Sequence, residues 1–177
     1  MERRACSIEL RTAGAFPRRL EGYAAVFETE TRIGDFVETI RAGAFKDTLS
    51  AGRDILALAD HDTRALLART RSGTLKLAED TRGLHFEISL PDTALGRDLH
   101  ALAERGDIGG ASFGFTVPKG GEAWSGNRRE LRAVDLAEIS IVQSWPAYQN
   151  TVVEARFRNV SKPADAGLRR SLAQWRA

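Results

Sequence analysis

The sequence of 177 residues is long enough for one domain with a sizeable core and too short for two large domains. Its 42% hydrophobic and 28% charged residues are typical of a soluble globular protein, and no apolar run reaches the length of a transmembrane helix. The 26 basic and 24 acidic residues leave a net charge of +2, and the arginines are scattered rather than gathered into a basic stripe. These features argue against a membrane protein and against nucleic acid as the main partner.

The N-terminus and the single cysteine indicate the cellular setting. Residues 1–7 carry positive charge but no apolar segment follows them, which argues against a secretory signal and favours the cytoplasm. Cys6 is the only cysteine, so the chain can form no internal disulfide, and no group of cysteines and histidines has the spacing of a zinc site. We therefore expect no metal and no cofactor.

Alternation of apolar and polar residues predicts strands through the first half of the chain. The predicted elements there are strands at 19–28 and 35–40, a short helix at 42–52, and strands at 55–62, 73–80 and 83–90. Gly52 is placed to end the short helix, and Arg82-Gly83 signals a turn between the last two strands.

The clearest helix of the sequence is predicted at residues 91–107. Asp92 or Thr93 can cap its N-terminus, and Gly106 can end it, while its apolar face consists of Leu95, Leu99 and Leu102. Strand-like alternation returns at 108–117 and 130–143. Because strands dominate and the helices do not alternate regularly with them, we predict an α+β fold, a mainly antiparallel sheet or β-barrel with a few helices.

Residues 158–177 differ from the rest in composition. Pro, Gly and Ser occur early in this segment, and Leu168, Leu172 and Trp175 occur late. We interpret it as a linker followed by a basic C-terminal tail, separate from a domain at residues 1–157. Two interpretations of the tail stay open: a frayed end that packs one tryptophan on the domain, and a docking or release segment.

The stretch IGGASFGF, residues 108–115, places one serine among small residues and aromatics. In a strand, Phe113 and Phe115 point to one face, while Ser112 points to the other with Gly110 and Gly114 beside it. The small neighbours would let an extended peptide approach the hydroxyl, as an attacking nucleophile requires. The alternative is that the glycines mark a bulge or close backbone packing and that the serine bonds locally.

A serine nucleophile needs a base, usually a histidine oriented by a third group. His61 is the best candidate because it lies where an apolar strand ends in DHD, whereas His85 and His100 suit a solvated strand face and a helix surface. Glu138 interrupts an apolar strand, and a carboxylate there needs a partner such as the His61 imidazole. The alternatives are a solvated loop histidine and a salt bridge from Glu138 to an arginine.

Three motifs, LADHD at 58–62, SFGF at 112–115 and LAEISIVQSWPAY at 136–148, occur in an order and spacing that resemble a known family. The chain from about residue 7 to residue 157 is similar to the prohead proteases of tailed bacteriophages, capsid-maturation serine proteases related in fold to herpesvirus assemblin. The resemblance implies Ser112 as nucleophile, His61 as general base and Glu138 as third member of a triad. Assemblin has a second histidine in place of the glutamate, and many family members carry Met or another larger residue where this chain has Ala111.

The resemblance also implies an antiparallel β-barrel surrounded by helices, as in herpesvirus proteases. The implied activity is a serine endopeptidase that cleaves the scaffolding segment of the major capsid protein inside the immature prohead, in the cytoplasm of a bacterium carrying a phage or prophage. Self-cleavage, contacts with the portal protein and homo-oligomerisation are open additions.

Two other functions remain in competition with the protease. One is a head scaffolding or assembly protein with a protease-like fold and a decayed active site. The other is a serine esterase or amidase that acts on small molecules. The absence of a G-x-S-x-G motif counts against the α/β-hydrolase form of the second.

Overall fold

The computed structural model describes residues 1–6, 11–13 and 18–143, which form thirteen strands and two helices. The strands of the first half are β1 (Glu2–Cys6), β2 (Arg11–Ala13), β3 (Arg19–Val26), β4 (Thr31–Ile33), β5 (Phe36–Ile40), β6 (Leu56–Ala59) and β7 (Asp62–Arg69). Those of the second half are β8 (Leu75–Glu79), β9 (Gly83–Ser89), β10 (Gly110–Thr116), β11 (Glu122–Ser125), β12 (Arg128–Leu131) and β13 (Asp135–Val142). The helices are α1 (Lys46–Ser50) and α2 (Ala94–Arg105).

The strands form three sheets. The five-stranded sheet has the order β1-β10-β13-β6-β7, and the two four-stranded sheets have the orders β11-β12-β5-β4 and β2-β3-β9-β8. Most neighbouring strands are antiparallel, but β13 pairs in parallel with β6, and β12 pairs in parallel with β5. The five-stranded sheet carries all the predicted site residues.

The predicted fold class, an α+β barrel with surrounding helices, is wrong. In the part of the chain that the structure describes, three separate sheets are present and none closes into a barrel. The two helices have 5 and 12 residues, too few to surround a barrel. Alternation shows which side chains share a strand face, but it carries no information on whether the outer strands of a sheet meet.

Most of the predicted elements are present where the pattern put them. Strands β3, β5, β6, β8, β9 and β10 and both helices fall within their predicted ranges, whereas the range 130–143 contains β13 and only the end of a second strand, β12. Thr93 caps α2 by accepting the Gly96 N–H at 3.2 Å, and Gly106 ends the helix in the left-handed conformation at φ 75°. The linker and tail predicted at 158–177 lie outside the described residues.

The aromatic face of β10 lies in the core. Phe113 and Phe115 are fully buried and stack with their ring centroids 5.1 Å apart. Phe45, at the start of α1, meets Phe113 edge to face at 5.5 Å. Burial of each such ring stabilises the fold by about 1.5–3 kcal/mol, so the strand that carries Ser112 is firmly held from its opposite face.

Candidate active site

The register of β10 against β13 brings the site residues to one face of the five-stranded sheet. Ser112 is opposite Ser140, and Gly114 is opposite Glu138. Residues directly opposite each other in an antiparallel pair point to the same face. Ser112, Ser140 and Glu138 are all buried, with at most 4% of their surface exposed.

His61 reaches this face from the turn between β6 and β7. Ala59 pairs with Asp62, so Asp60 and His61 form a two-residue hairpin turn. Both turn residues are left-handed, with φ of 48° and 60°, as a type I′ turn requires. Glycine, asparagine and aspartate are usual at such positions, and the left-handed conformation costs most other residues roughly 1–2 kcal/mol. The surrounding contacts must therefore hold the turn in place.

The end of β13 supplies contacts that hold the turn. The Asp60 N–H donates to the Ile141 carbonyl at 3.0 Å. The Asp60 carboxylate accepts the backbone N–H of Gln143 at 2.9 Å and its side-chain amide at 2.8 Å. These hydrogen bonds hold Asp60 at the end of the strand that carries Glu138, which fixes the backbone position of the next residue, His61.

His61 and Glu138 form a hydrogen-bonded pair across 77 positions of sequence. The distance between His61 Nδ1 and Glu138 Oε1 is 2.7 Å, and the two side chains are 17% and 6% exposed. A carboxylate can only accept, so Nδ1 carries the proton, and Nε2 of the neutral ring is left as a proton acceptor. The pair can thus serve as a general base. Among the residues that the structure describes, Glu138 pairs with His61 and with no arginine.

Gly114 fits the second interpretation of the sequence, a bulge or close packing, because the register of β10 against β13 shifts between Gly114 and Phe115. A Cβ at this position would lie 2.4 Å from Glu138 Oε1, so the carboxylate occupies the space above the glycine. The interpretation that this glycine leaves room for a peptide is therefore wrong. The absence of a side chain at Gly114 accommodates the partner of His61 instead.

Ser112 lies on the same face but has another hydrogen-bond partner. Its hydroxyl donates to the Arg4 carbonyl of β1 at 2.8 Å, and the residue is 1% exposed. The structure thus joins His61 to Glu138 directly and places Ser112 one strand away, on the strand next to that of Glu138.

Strand β1, which supplies that carbonyl, is fastened by a cluster of charged side chains. Arg4 donates to Glu38 of β5 at 2.5 Å, and Arg129 of β12 bonds to Glu38 at 3.0 Å and to Glu2 at 2.7 Å. Arg129 also donates to Glu122 at 2.6 Å. The hydrogen bond from Arg129 lowers the pKa of Glu2, and the carboxylates raise the pKa of Arg129. The cluster ties the five-stranded sheet to the sheet that contains β5 and β12.

The other two histidines lie elsewhere. His85 of β9 contacts Tyr23 edge to face, and His100 of α2 faces Glu104 at 3.6 Å. Within residues 1–6, 11–13 and 18–143, no group of three or more His, Cys, Asp or Glu side chains is arranged to hold a metal ion. No helix in that same part of the chain is long and apolar enough to cross a membrane.

Sequence reasoning missed the contributions of Asp60, Ser140 and Gln143. Ser140 could have been found, because it lies two residues from Glu138 and therefore on the same strand face. Asp60 and Gln143 gave no such signal, since their contact depends on the parallel pairing of β6 with β13.

Comparison with known proteins identifies the family. No significant match was found among curated proteins or among solved structures. The model of the family described as caudovirus prohead serine protease matches residues 6–165, most of the 177-residue chain. The chain therefore belongs to the caudovirus prohead serine protease family, the serine peptidases of phage capsid maturation.

Proposed function

We propose that this chain is an active endopeptidase in which Ser112 is the nucleophile, His61 the general base and Glu138 the carboxylate that orients it. Its substrate would be the scaffolding segment of the major capsid protein inside the immature prohead. The observation that carries the proposal is the 2.7 Å hydrogen bond between His61 Nδ1 and Glu138 Oε1. Family membership supports the class of reaction and of substrate.

The pairing with Glu138 suits His61 to accept a proton. The buried carboxylate holds the Nδ1–H and so leaves Nε2 as the nitrogen that can accept the proton of the nucleophile. When His61 becomes positively charged, the carboxylate at 2.7 Å stabilises the imidazolium. The left-handed turn and the hydrogen bond between Asp60 and Gln143 keep the His61 ring at the end of β6 during the proton transfer.

The reaction needs a change of partner at Ser112. Its hydroxyl donates to the Arg4 carbonyl, so this hydrogen bond must break before the proton can pass to His61. Catalytic hydrogen bonds are often long or misaligned before substrate binds and tighten in the complex. Ser112 Oγ then attacks the scissile carbonyl carbon, and the proton passes to His61 and on to the leaving amine. Water finally hydrolyses the acyl-enzyme.

A second candidate is an assembly protein without activity. The observation in its favour is that Ser112 is 1% exposed and bonded to backbone, as a structural serine would be. Cleavage separates the two candidates. Self-cleavage near the C-terminus, contacts with the portal protein and self-association would be additions to the protease function.

The test is the intact mass of the major capsid protein after coexpression with this chain. With wild type we expect loss of a defined scaffolding segment, and with Ser112→Ala we expect full-length capsid protein. Ser89→Ala on β9, in another sheet, is the matched control and should cleave like wild type. Uncleaved capsid protein in assembled heads with all three chains would favour the assembly protein.

A further inference from the structure

The hydroxyl oxygen of Ser140 forms hydrogen bonds with both Glu138 and His61, the orienting carboxylate and the general base of the proposed triad. The hydroxyl donates to Glu138 Oε2 at 2.6 Å and accepts the backbone N–H of His61 at 3.2 Å. We propose that Ser140 is a positioning residue that fixes the Glu138 carboxylate and the His61 backbone relative to each other. This inference rests on the proposed function of His61 and Glu138.

The chemistry of the hydroxyl makes both contacts possible at once. A serine hydroxyl has one proton to donate and two lone pairs that accept. The carboxylate takes the proton, and one lone pair takes the N–H of His61. Glu138 is then held at both oxygens, Oε1 by the imidazole and Oε2 by Ser140, which fixes the plane of the carboxylate.

Burial makes the hydroxyl hard to replace. Ser140 is 0% exposed and Glu138 is 4% exposed. Without the hydroxyl, Oε2 would lose its donor in a dry environment, where an unpaired charged oxygen is costly. The carboxylate would then rotate toward another donor, which weakens its hold on His61 Nδ1.

The contact with the backbone has a separate effect. His61 has an unfavourable φ of 60°, and its N–H is bonded only while the turn stays folded against β13. Ser140 lies on a strand with a partner on each side, opposite Ser112 of β10 and opposite Leu58 of β6. A side chain on such an interior strand is a rigid anchor for a strained turn.

The test compares Ser140→Ala with wild type in two measurements on the full chain. The first is the proton NMR signal of His61 Nδ1–H at low field, which is sharp only while the hydrogen bond to Glu138 protects that proton from exchange. The second is cleavage of purified capsid protein. For Ser140→Ala we expect a weakened or lost signal and a fall in kcat of about 10- to 100-fold. KM should stay unchanged, because Ser140 is buried and does not touch substrate.

The matched control is Thr48→Val. Thr48 is also buried, and its hydroxyl accepts the Leu136 N–H at 3.1 Å near the other end of β13. This variant removes a buried hydroxyl that supports the same strand, so it should lower thermal stability while leaving the NMR signal and kcat as in wild type. Ser140→Thr keeps the hydroxyl and should recover both readouts.

The outcomes separate this inference from the proposed function. An unchanged His61 signal and unchanged kcat in Ser140→Ala would overturn the positioning role, and so would absence of the signal in wild type. A wild type that shows the His61 signal but cleaves nothing would overturn the protease assignment. The NMR comparison of Ser140→Ala with wild type would then decide by itself whether Ser140 positions His61 and Glu138. Should Ser140→Ala not fold, Ser140→Cys takes its place, since the thiol is a weaker donor.

Discussion

Replacement of Gly114 by alanine tests the geometry of the site most directly. The added Cβ would lie 2.4 Å from Glu138 Oε1, whereas ordinary contacts begin at about 3.4 Å. The carboxylate must therefore recede by about 1 Å. That displacement acts on the oxygen that is 2.7 Å from His61 Nδ1, so the hydrogen bond is stretched or lost.

The expected magnitude follows from the size of this displacement. A misplacement of about 1 Å at a catalytic group can reduce activity about 100-fold, which corresponds to roughly 2.7 kcal/mol in the barrier. Overpacking of a buried position also lowers the free energy of unfolding by about 1–3 kcal/mol. The assay is kcat/KM for cleavage of purified capsid protein, with thermal unfolding measured in parallel on the same samples.

Gly121→Ala provides the control for overpacking alone. Its Cβ would lie 2.5 Å from the Ala133 carbonyl oxygen, a similar clash in the turn before β11, away from His61. We expect this variant to lose stability while its folded fraction keeps the wild-type kcat/KM. If Gly114→Ala retains full kcat/KM while folded, the position of the Glu138 carboxylate does not matter to the reaction, and the role proposed for Glu138 in the triad is refuted.

Two further variants test the charges. Glu138→Gln keeps the shape of the side chain but removes its charge, and it no longer selects the tautomer of His61 with the proton on Nδ1. We therefore expect kcat to fall by about 10⁴-fold at neutral pH. Activity within tenfold of wild type would contradict the role of Glu138. Glu2→Gln tests the charged cluster. The hydrogen bond from Arg129 lowers the pKa of Glu2 from about 4.5, so its stabilisation is fully present above that pH and is lost as the pH falls through the lowered pKa. Denaturant unfolding should therefore show wild type more stable at pH 7, with the difference from Glu2→Gln vanishing in acid; a difference independent of pH would contradict the assignment.

The sequence predicted local structure well because local patterns determine it. The leucine spacing and the capping Thr93 of α2 are contained within a few residues, as is the alternation of β9 and β10. Strand β7 lacked a signal because Leu66, Leu67 and Ala68 follow one another as apolar residues, so its sequence shows no clean alternation although Leu66 is exposed and the other two are buried. The arrangement of the sheets depends on the parallel pairs β6 with β13 and β5 with β12, which join distant segments and leave no periodic trace.

The residues of the candidate site also differ in how far the sequence alone could predict their contacts. Ser112, His61 and Glu138 could be named as candidates because chemistry restricts which residue types form a catalytic site, and the predicted contact between His61 and Glu138 is confirmed. The close contact of Gly114 with Glu138 depends on which residue lies opposite which in β10 and β13. A shift of one residue would turn Gly114 to the other face, so no property of that residue alone could predict the contact. The contact of Ser140 with Glu138 lies within one strand and was open to prediction from their spacing.

The contact between Ser112 and β1 bears on how the enzyme would become active. Displacing β1 would break its backbone pairing with β10 along five residues and separate Arg4 and Glu2 from the buried Glu38 and Arg129. Rotating the Ser112 hydroxyl exchanges one hydrogen bond for another, a change on the order of 1 kcal/mol. Because rotating the Ser112 hydroxyl costs far less free energy than displacing β1, we expect β1 to stay in place when the site becomes active. For the proposed triad we therefore expect substrate to approach from the side of His61, whose side chain is more exposed than those of Ser112 and Glu138.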